Sequence, residues 1–205
     1  MLRGTRIIAG DEARKYNEII SVLRGLLLGA DFEEIIVPSI WEAETFLDKV
    51  GEENRRMMWT FLDKGERNVC LIPEVTGLIQ EMWRNEWSKQ SKSRNIFYVQ
   101  RCYRYERPQK GRYREFTQFG IEMLGTQDSS QAKLLLRKGL DLLGLDYTFD
   151  ETAQRGLSYY VEEGFEASIG SLGAQKQIAG GGTYAEGTGW AVGVDRLMLA
   201  YQGGA

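Results

Sequence analysis

The chain has 205 residues, of which 42% are hydrophobic, and a formal net charge of -3; this is ample for a real core and unsuited to binding a polyanion over the whole surface. It contains no histidine, which excludes Ser-His-Asp triads, Cys-His dyads and His-ligated zinc. The N-terminus shows no apolar run of signal-peptide length and no segment approaches the ~20 apolar residues of a membrane span, so the expectation is a soluble, cytoplasmic protein. No linker divides it, and residues 1–205 are expected to form a single domain. Cys70 and Cys102 fall in strand-like segments without metal-ligand spacing, as reduced core thiols do.

In chain order, residues 11–30 place Asp11 and Glu12 near a helix start and Ile19, Ile20, Leu23, Leu26 and Leu27 at helical spacing, ending near Gly29. "FEEIIVP" reads as a short strand closed by Pro38, and residues 39–50 as a helix capped by Ser39. "RRMMWTFLD" and "NVCLI", joined by "KGER", make a hairpin, and a helix follows from Pro73. Residues 95–106 and 113–124 form a second, longer hairpin around "RPQKGR". A helix over 129–145, a strand over 146–152, then aromatic strands with glycine turns and a short apolar helix complete the pattern. The whole predicts an α+β fold, an antiparallel β-sheet flanked by helices.

Charge is unevenly placed. Between Arg84 and Arg114 there are ten Lys or Arg against two Glu, a local net of +8, so the rest of the chain sums to -11. A solvated basic face would explain this, as would a nucleic-acid patch or a cleft for polyphosphate. On an extended strand Arg104 and Glu106 share one face, as do Gln118, Gly120 and Glu122 on the facing strand. Buried charges there would need a full ion-pair network, whereas in a cleft the guanidiniums are free to grip phosphate oxygens. Glu74 and Thr76 at a strand-to-helix junction, Arg155 beside two tyrosines, and Arg196 in an apolar helix repeat the pairing of charge with apolar surroundings.

Taken together these blocks resemble the catalytic domain of a class II aminoacyl-tRNA synthetase, and within that class the chain is similar to histidyl-tRNA synthetases. "ADFEEIIVPSI" resembles motif 1, "YRYERPQKGRYREFTQFGIEMLG" motif 2 and "AVGVDRLMLA" motif 3; "LIPEVTG", "QRGLSYYVEEGFE" and "AGGGTYAE" resemble further signatures of that family. The resemblance implies the class II fold, MgATP (ATP and Mg2+) and an amino acid, histidine favoured, as ligands, tRNA or another acceptor as partner, no protein-bound metal site, and a homodimer built through motif 1. It implies that Arg104 grips the α-phosphate and the amino-acid carboxylate and that Arg155 stabilises the α-phosphate during reaction. Glu106 would read the adenine amino group, and Arg112 and Arg196 the outer phosphates. Glu74, Thr76 and Gln118 would hold the ammonium, Glu122 and Tyr160 the side chain, with Tyr184, Gly180 and Gly181 shaping the pocket floor.

The sequence also departs from that pattern. Only 32 residues separate Glu122 from Arg155, where the family inserts a helical domain, and the chain stops after motif 3, ahead of the anticodon-binding domain. Ile72, Ser158 and Asp195 stand where the family has Arg, Asp and Glu, and "AGGGTY" lacks an expected arginine. Three functions fit: an adenylating enzyme that passes its amino acid to tRNA or another acceptor, a silent histidine-binding paralogue like the regulatory subunit of ATP phosphoribosyltransferase, and a ligase for a non-tRNA acceptor. Retained arginines favour the enzymes, since a histidine sensor has no need of phosphate grips.

Overall fold

The structure, a computed structural model, describes residues 1–47, 55–153, 160–161 and 164–203. The end of the segment expected as a helix over 39–50, together with Arg155 and Ser158, lies outside the described residues. The described elements are α1 (Gly10–Leu28), β1 (Glu33–Ile35), β2 (Ile40–Glu42), α2 (Glu44–Leu47), β3 (Trp59–Leu62), β4 (Asn68–Leu71), α3 (Thr76–Asn85), β5 (Arg94–Tyr103), β6 (Glu115–Leu124), α4 (Ser130–Leu142), β7 (Thr148–Ala153), β8 (Gly164–Ser168), β9 (Gln177–Tyr184), β10 (Gly187–Gly193) and α5 (Val194–Ala200).

Seven strands form one sheet in the order β1-β5-β6-β10-β9-β8-β7, antiparallel except for β1, which pairs with β5 in parallel. Alternation along β5 and β6 divides the molecule into two cores. Phe97, Phe119 and Ile121 pack with Ile19, Leu23 and Leu27 of α1, Leu135 and Leu136 of α4 and Leu197 of α5. On the other face Ile96, Tyr98, Cys102 and Leu124 pack with Leu78, Ile79 and Trp83 of α3 and with Cys70 and Ile72. Both cysteines are free and buried, and burial pushes the Cys70 thiol up to about 12, far from the thiolate range.

A second sheet, β2-β4-β3, stands beside the first and carries the predicted hairpin of β3 and β4. Its third strand corrects the expectation of a Ser39-capped helix. Ile40 and Trp41 are residues that fit a pleated surface, and they pair with Leu71 and Cys70. Ser39 serves this arrangement, its carbonyl accepting from the Ile72 N–H at 3.0 Å and its hydroxyl from Gln100 Nε2 at 3.1 Å. Helix α3 begins at Thr76, three residues beyond Pro73. Strand β5 stops at Tyr103 and β6 starts at Glu115, so Arg104 and Glu106 stand in the connecting loop instead of on the strand.

Candidate active site

One face of the large sheet, between α3, the β5–β6 loop and α5, holds a cleft with a cavity volume of about 250 Å³. Its wall contains Arg104, Glu106, Arg112, Gln118, Tyr160, Gly180 and Arg196, with Glu74 and Thr76 entering from the start of α3. These residues span more than a hundred positions of sequence, and only the strand order makes them neighbours.

Three guanidiniums converge on this cleft. Arg104 is anchored by its Nε, which donates to the Pro73 carbonyl at 2.9 Å, and it lies 5.3 Å from the centroid of the Phe116 ring. Arg196 donates from Nη1 to the Gln177 carbonyl at 2.7 Å. Burial, then repulsion from Arg112 and Arg104, lowers its pKa. Arg112 forms an ion pair with Glu106, whereas neither Arg104 nor Arg196 has an ion-pair partner among the described residues. Partly buried like charges held together in this way leave a field that an oligoanion would neutralise.

The same cleft takes acidic groups from the start of α3. Glu74, 3% exposed, accepts the N–H of Gly77 at 2.9 Å through Oε1 and so fixes the start of α3. Beneath it Glu122, 1% exposed, accepts from the Thr76 hydroxyl at 2.6 Å and from the Tyr184 hydroxyl. Burial pushes the Glu122 carboxyl up to about 8, and burial first, then the nearby Glu122, raises Tyr184 well above its usual range. Glu122 and Tyr184 therefore lie behind the cleft wall, where they hold Thr76 in place.

Strand register explains this layer. Gly189 faces Glu122 on one side and Gly182 on the other. A Cβ at Gly189 would sit 3.0 Å from Glu122 Cδ, and one at Gly182 would sit 2.6 Å from Tyr160 Cδ1. The missing side chains make room for the carboxyl and the tyrosine ring. Gly180, Gly182 and Tyr184 share the cleft face, and Gly181 points away, where a Cβ would meet Phe165 Cε2 at 2.6 Å. Gly181, expected in the pocket floor, thus packs toward Phe165 and away from the cleft, while Gly182 leaves room for the Tyr160 ring. Alternation counted back from Tyr184 was the signal that could have found this.

Asp195 was singled out only as a departure, yet it links elements. Its Oδ2 accepts the N–H of Thr117 at 2.8 Å and its Oδ1 accepts from Arg6 Nη2 at 2.8 Å. Ile72 is fully buried in the second core and does not line the cleft.

A helix-backed antiparallel sheet with this cleft is the class II aminoacyl-tRNA synthetase catalytic fold. Two solved structures share it: an ATP phosphoribosyltransferase regulatory subunit/histidyl-tRNA synthetase from Bacillus halodurans, 14% identical, TM-score 0.83, covering all of this chain and 83% of that one, and the apo S. aureus histidyl-tRNA synthetase, 24% identical, TM-score 0.73, covering 97% and 69%. The sequence profile of the family described as histidyl-tRNA synthetase matches residues 4–143, and the chain belongs to that family. The histidine--tRNA ligase of Methanosarcina acetivorans is 28% identical, the match covering 96% of this chain and 74% of that protein.

Proposed function

We propose that the cleft forms an aminoacyl adenylate from MgATP and an amino acid, histidine favoured, and that the acyl group then passes to tRNA or another acceptor, with residues 1–205 acting as a single catalytic domain. The observation that carries this reading is that Arg104, Arg112 and Arg196 line one cleft together with Glu74 and Thr76. Family membership and the histidine--tRNA ligase relatives support it.

In the reaction a carboxylate oxygen of the amino acid bonds to the α-phosphorus while the bond from that phosphorus to the bridging oxygen breaks, and pyrophosphate leaves with the electron pair. Negative charge grows on the phosphate oxygens, and fixed donors stabilise it without any proton transfer from histidine. Arg104 would meet the α-phosphate and the carboxylate, and Arg196 and Arg112 the outer phosphates, roles that their presence in one cleft supports. Arg155 is assigned to the α-phosphate by its place in the family pattern. Glu106, released from Arg112 as phosphate takes its place, would accept from the adenine amino group. Glu74, Thr76 and Gln118 would hold the ammonium, with Tyr160 and Gly180 beside the side chain and Glu122 and Tyr184 supporting them from behind the wall. Mg²⁺ enters with the triphosphate as part of the substrate; among the described residues no group of three or more Asp, Glu or Cys side chains forms a metal site.

A homodimer fits this reading, since the motif 1 strand β1 is a sheet edge followed by Ile36, 94% exposed, and the small sheet leaves Ile40, Phe61 and Leu62 exposed. No described helix is long and apolar enough to cross a membrane, and a cytoplasmic setting goes with the use of MgATP and tRNA. The test is amino-acid-dependent exchange of labelled pyrophosphate into ATP across the twenty amino acids. Exchange with histidine is the expected result, and histidine binding with no exchange for any amino acid would replace the enzyme with a sensor.

A further inference from the structure

The segment ahead of α1 touches both carriers of the cleft's arginines. The Gly4 carbonyl accepts the N–H of Arg114 at 2.7 Å, and the Arg3 carbonyl accepts from Arg114 Nη1 at 3.3 Å. The Arg114 carbonyl in turn accepts the N–H of Arg104 at 3.0 Å. Gly4 has φ +87, and a Cβ there would lie 2.7 Å from Arg114 Cγ and 3.0 Å from Pro108 Cγ, so both its conformation and its closeness require glycine.

Two residues on, the Arg6 guanidinium lies 4.6 Å from the centroid of the Tyr113 ring. Its Nη2 donates to Asp195 Oδ1 at 2.8 Å, and its Nη1 reaches Glu12 Oε2 at 3.4 Å. The side chain of Arg6 is 18% exposed and that of Asp195 5%. Tyr113 follows Arg112, and Asp195 precedes Arg196. One guanidinium therefore ties together the neighbours of two arginines that repel each other across the cleft.

We propose that Arg6 is a positioning residue for nucleotide binding: with residues 3–5 it straps the β5–β6 loop to α5 and fixes the separation of Arg112 from Arg196 before any ligand arrives. The proposal rests on the nucleotide role of the cleft given above. Preorganised donors are effective because the cost of bringing them together is met in folding, and an ångström of drift in such a group can cost up to about a hundredfold in rate. A planar guanidinium can stack on Tyr113 and bond Asp195 at once, which an ammonium cannot.

The test compares the full chain with Arg6→Ala and Arg6→Lys, by amide hydrogen exchange without substrate and by the KM for ATP and for the amino acid in pyrophosphate exchange. Expected for Arg6→Ala are faster hydrogen exchange over residues 104–117 and an ATP KM raised about tenfold, with the amino-acid KM within about twofold of the parent. Arg6→Lys, which keeps the ion pair and the fold, should fall between. Unchanged hydrogen exchange over 104–117 in both variants would overturn the proposal, and so would equal rises in both KM values with protection lost throughout β9 and β10. If the parent shows no pyrophosphate exchange with any amino acid, the catalytic reading fails, while hydrogen exchange still decides whether the strap holds the loop.

Discussion

Replacing Glu122 by Gln should change how the stability of the fold depends on pH. The carboxyl is 1% exposed and is pushed up to about 8, whereas in the unfolded chain it returns to the ordinary value of 4.5. Between those two values the folded state holds a proton that the unfolded state has released. Linkage then makes this group's contribution fall as pH rises, by as much as about 1.4 kcal/mol per pH unit. The full contribution is present below pH 4.5 and is lost as pH climbs toward 8. The amide introduced by Glu122→Gln does not titrate, so the stability of the parent relative to the variant should drop by roughly 2–3 kcal/mol between pH 5 and pH 7. Urea unfolding of both proteins at pH 5, 6 and 7 measures this directly, because pH effects of all other groups cancel in the difference. Parallel pH profiles would refute the reasoning and show that Glu122 is ionised in the folded protein.

Two further substitutions probe the cleft and its floor. Removing Arg104 or Arg196 by Ala should lower kcat/KM in pyrophosphate exchange by about two orders of magnitude each, near 3 kcal/mol, with the melting midpoint little changed; a loss below threefold would remove that arginine from the phosphate site. Gly181→Ala should destabilise the fold by about 1–3 kcal/mol through collision with Phe165, and thermal unfolding should show it, while the KM for the amino acid in the folded fraction stays put. A changed KM with unchanged stability would return Gly181 to the pocket.

The elements legible in the sequence are those whose partners are local. The alternation of β5 and β6 and the periodicity of α1 declare themselves because each face meets a uniform environment along its length. Ser39 misled because a cap residue followed by Ile40 and Trp41 suits either a helix or a strand, and the choice was made by Leu71 and Cys70, about thirty residues away. Arginines with few carboxylates to match left a solvated basic face, a nucleic-acid patch and a polyphosphate cleft all open. It was the resemblance to the class II motifs that grouped Arg104, Glu106, Arg112 and Arg196, which the structure brings to one cleft. Which glycine of 180–182 faces the cleft depends on strand register, and composition does not carry register. Arg6 had no local signal at all, since its main partner, Asp195, lies 189 positions away.

In the proposed function this cleft joins an amino-acid carboxylate to the α-phosphorus of ATP. Incubating stoichiometric protein with histidine, Mg²⁺ and ATP labelled at the α-phosphate, then separating the protein-bound products, measures that bond formation in a single turnover. One labelled aminoacyl adenylate per active site, dependent on histidine and lost in Arg104→Ala, is the expected result. Bound histidine beside unreacted ATP would contradict it.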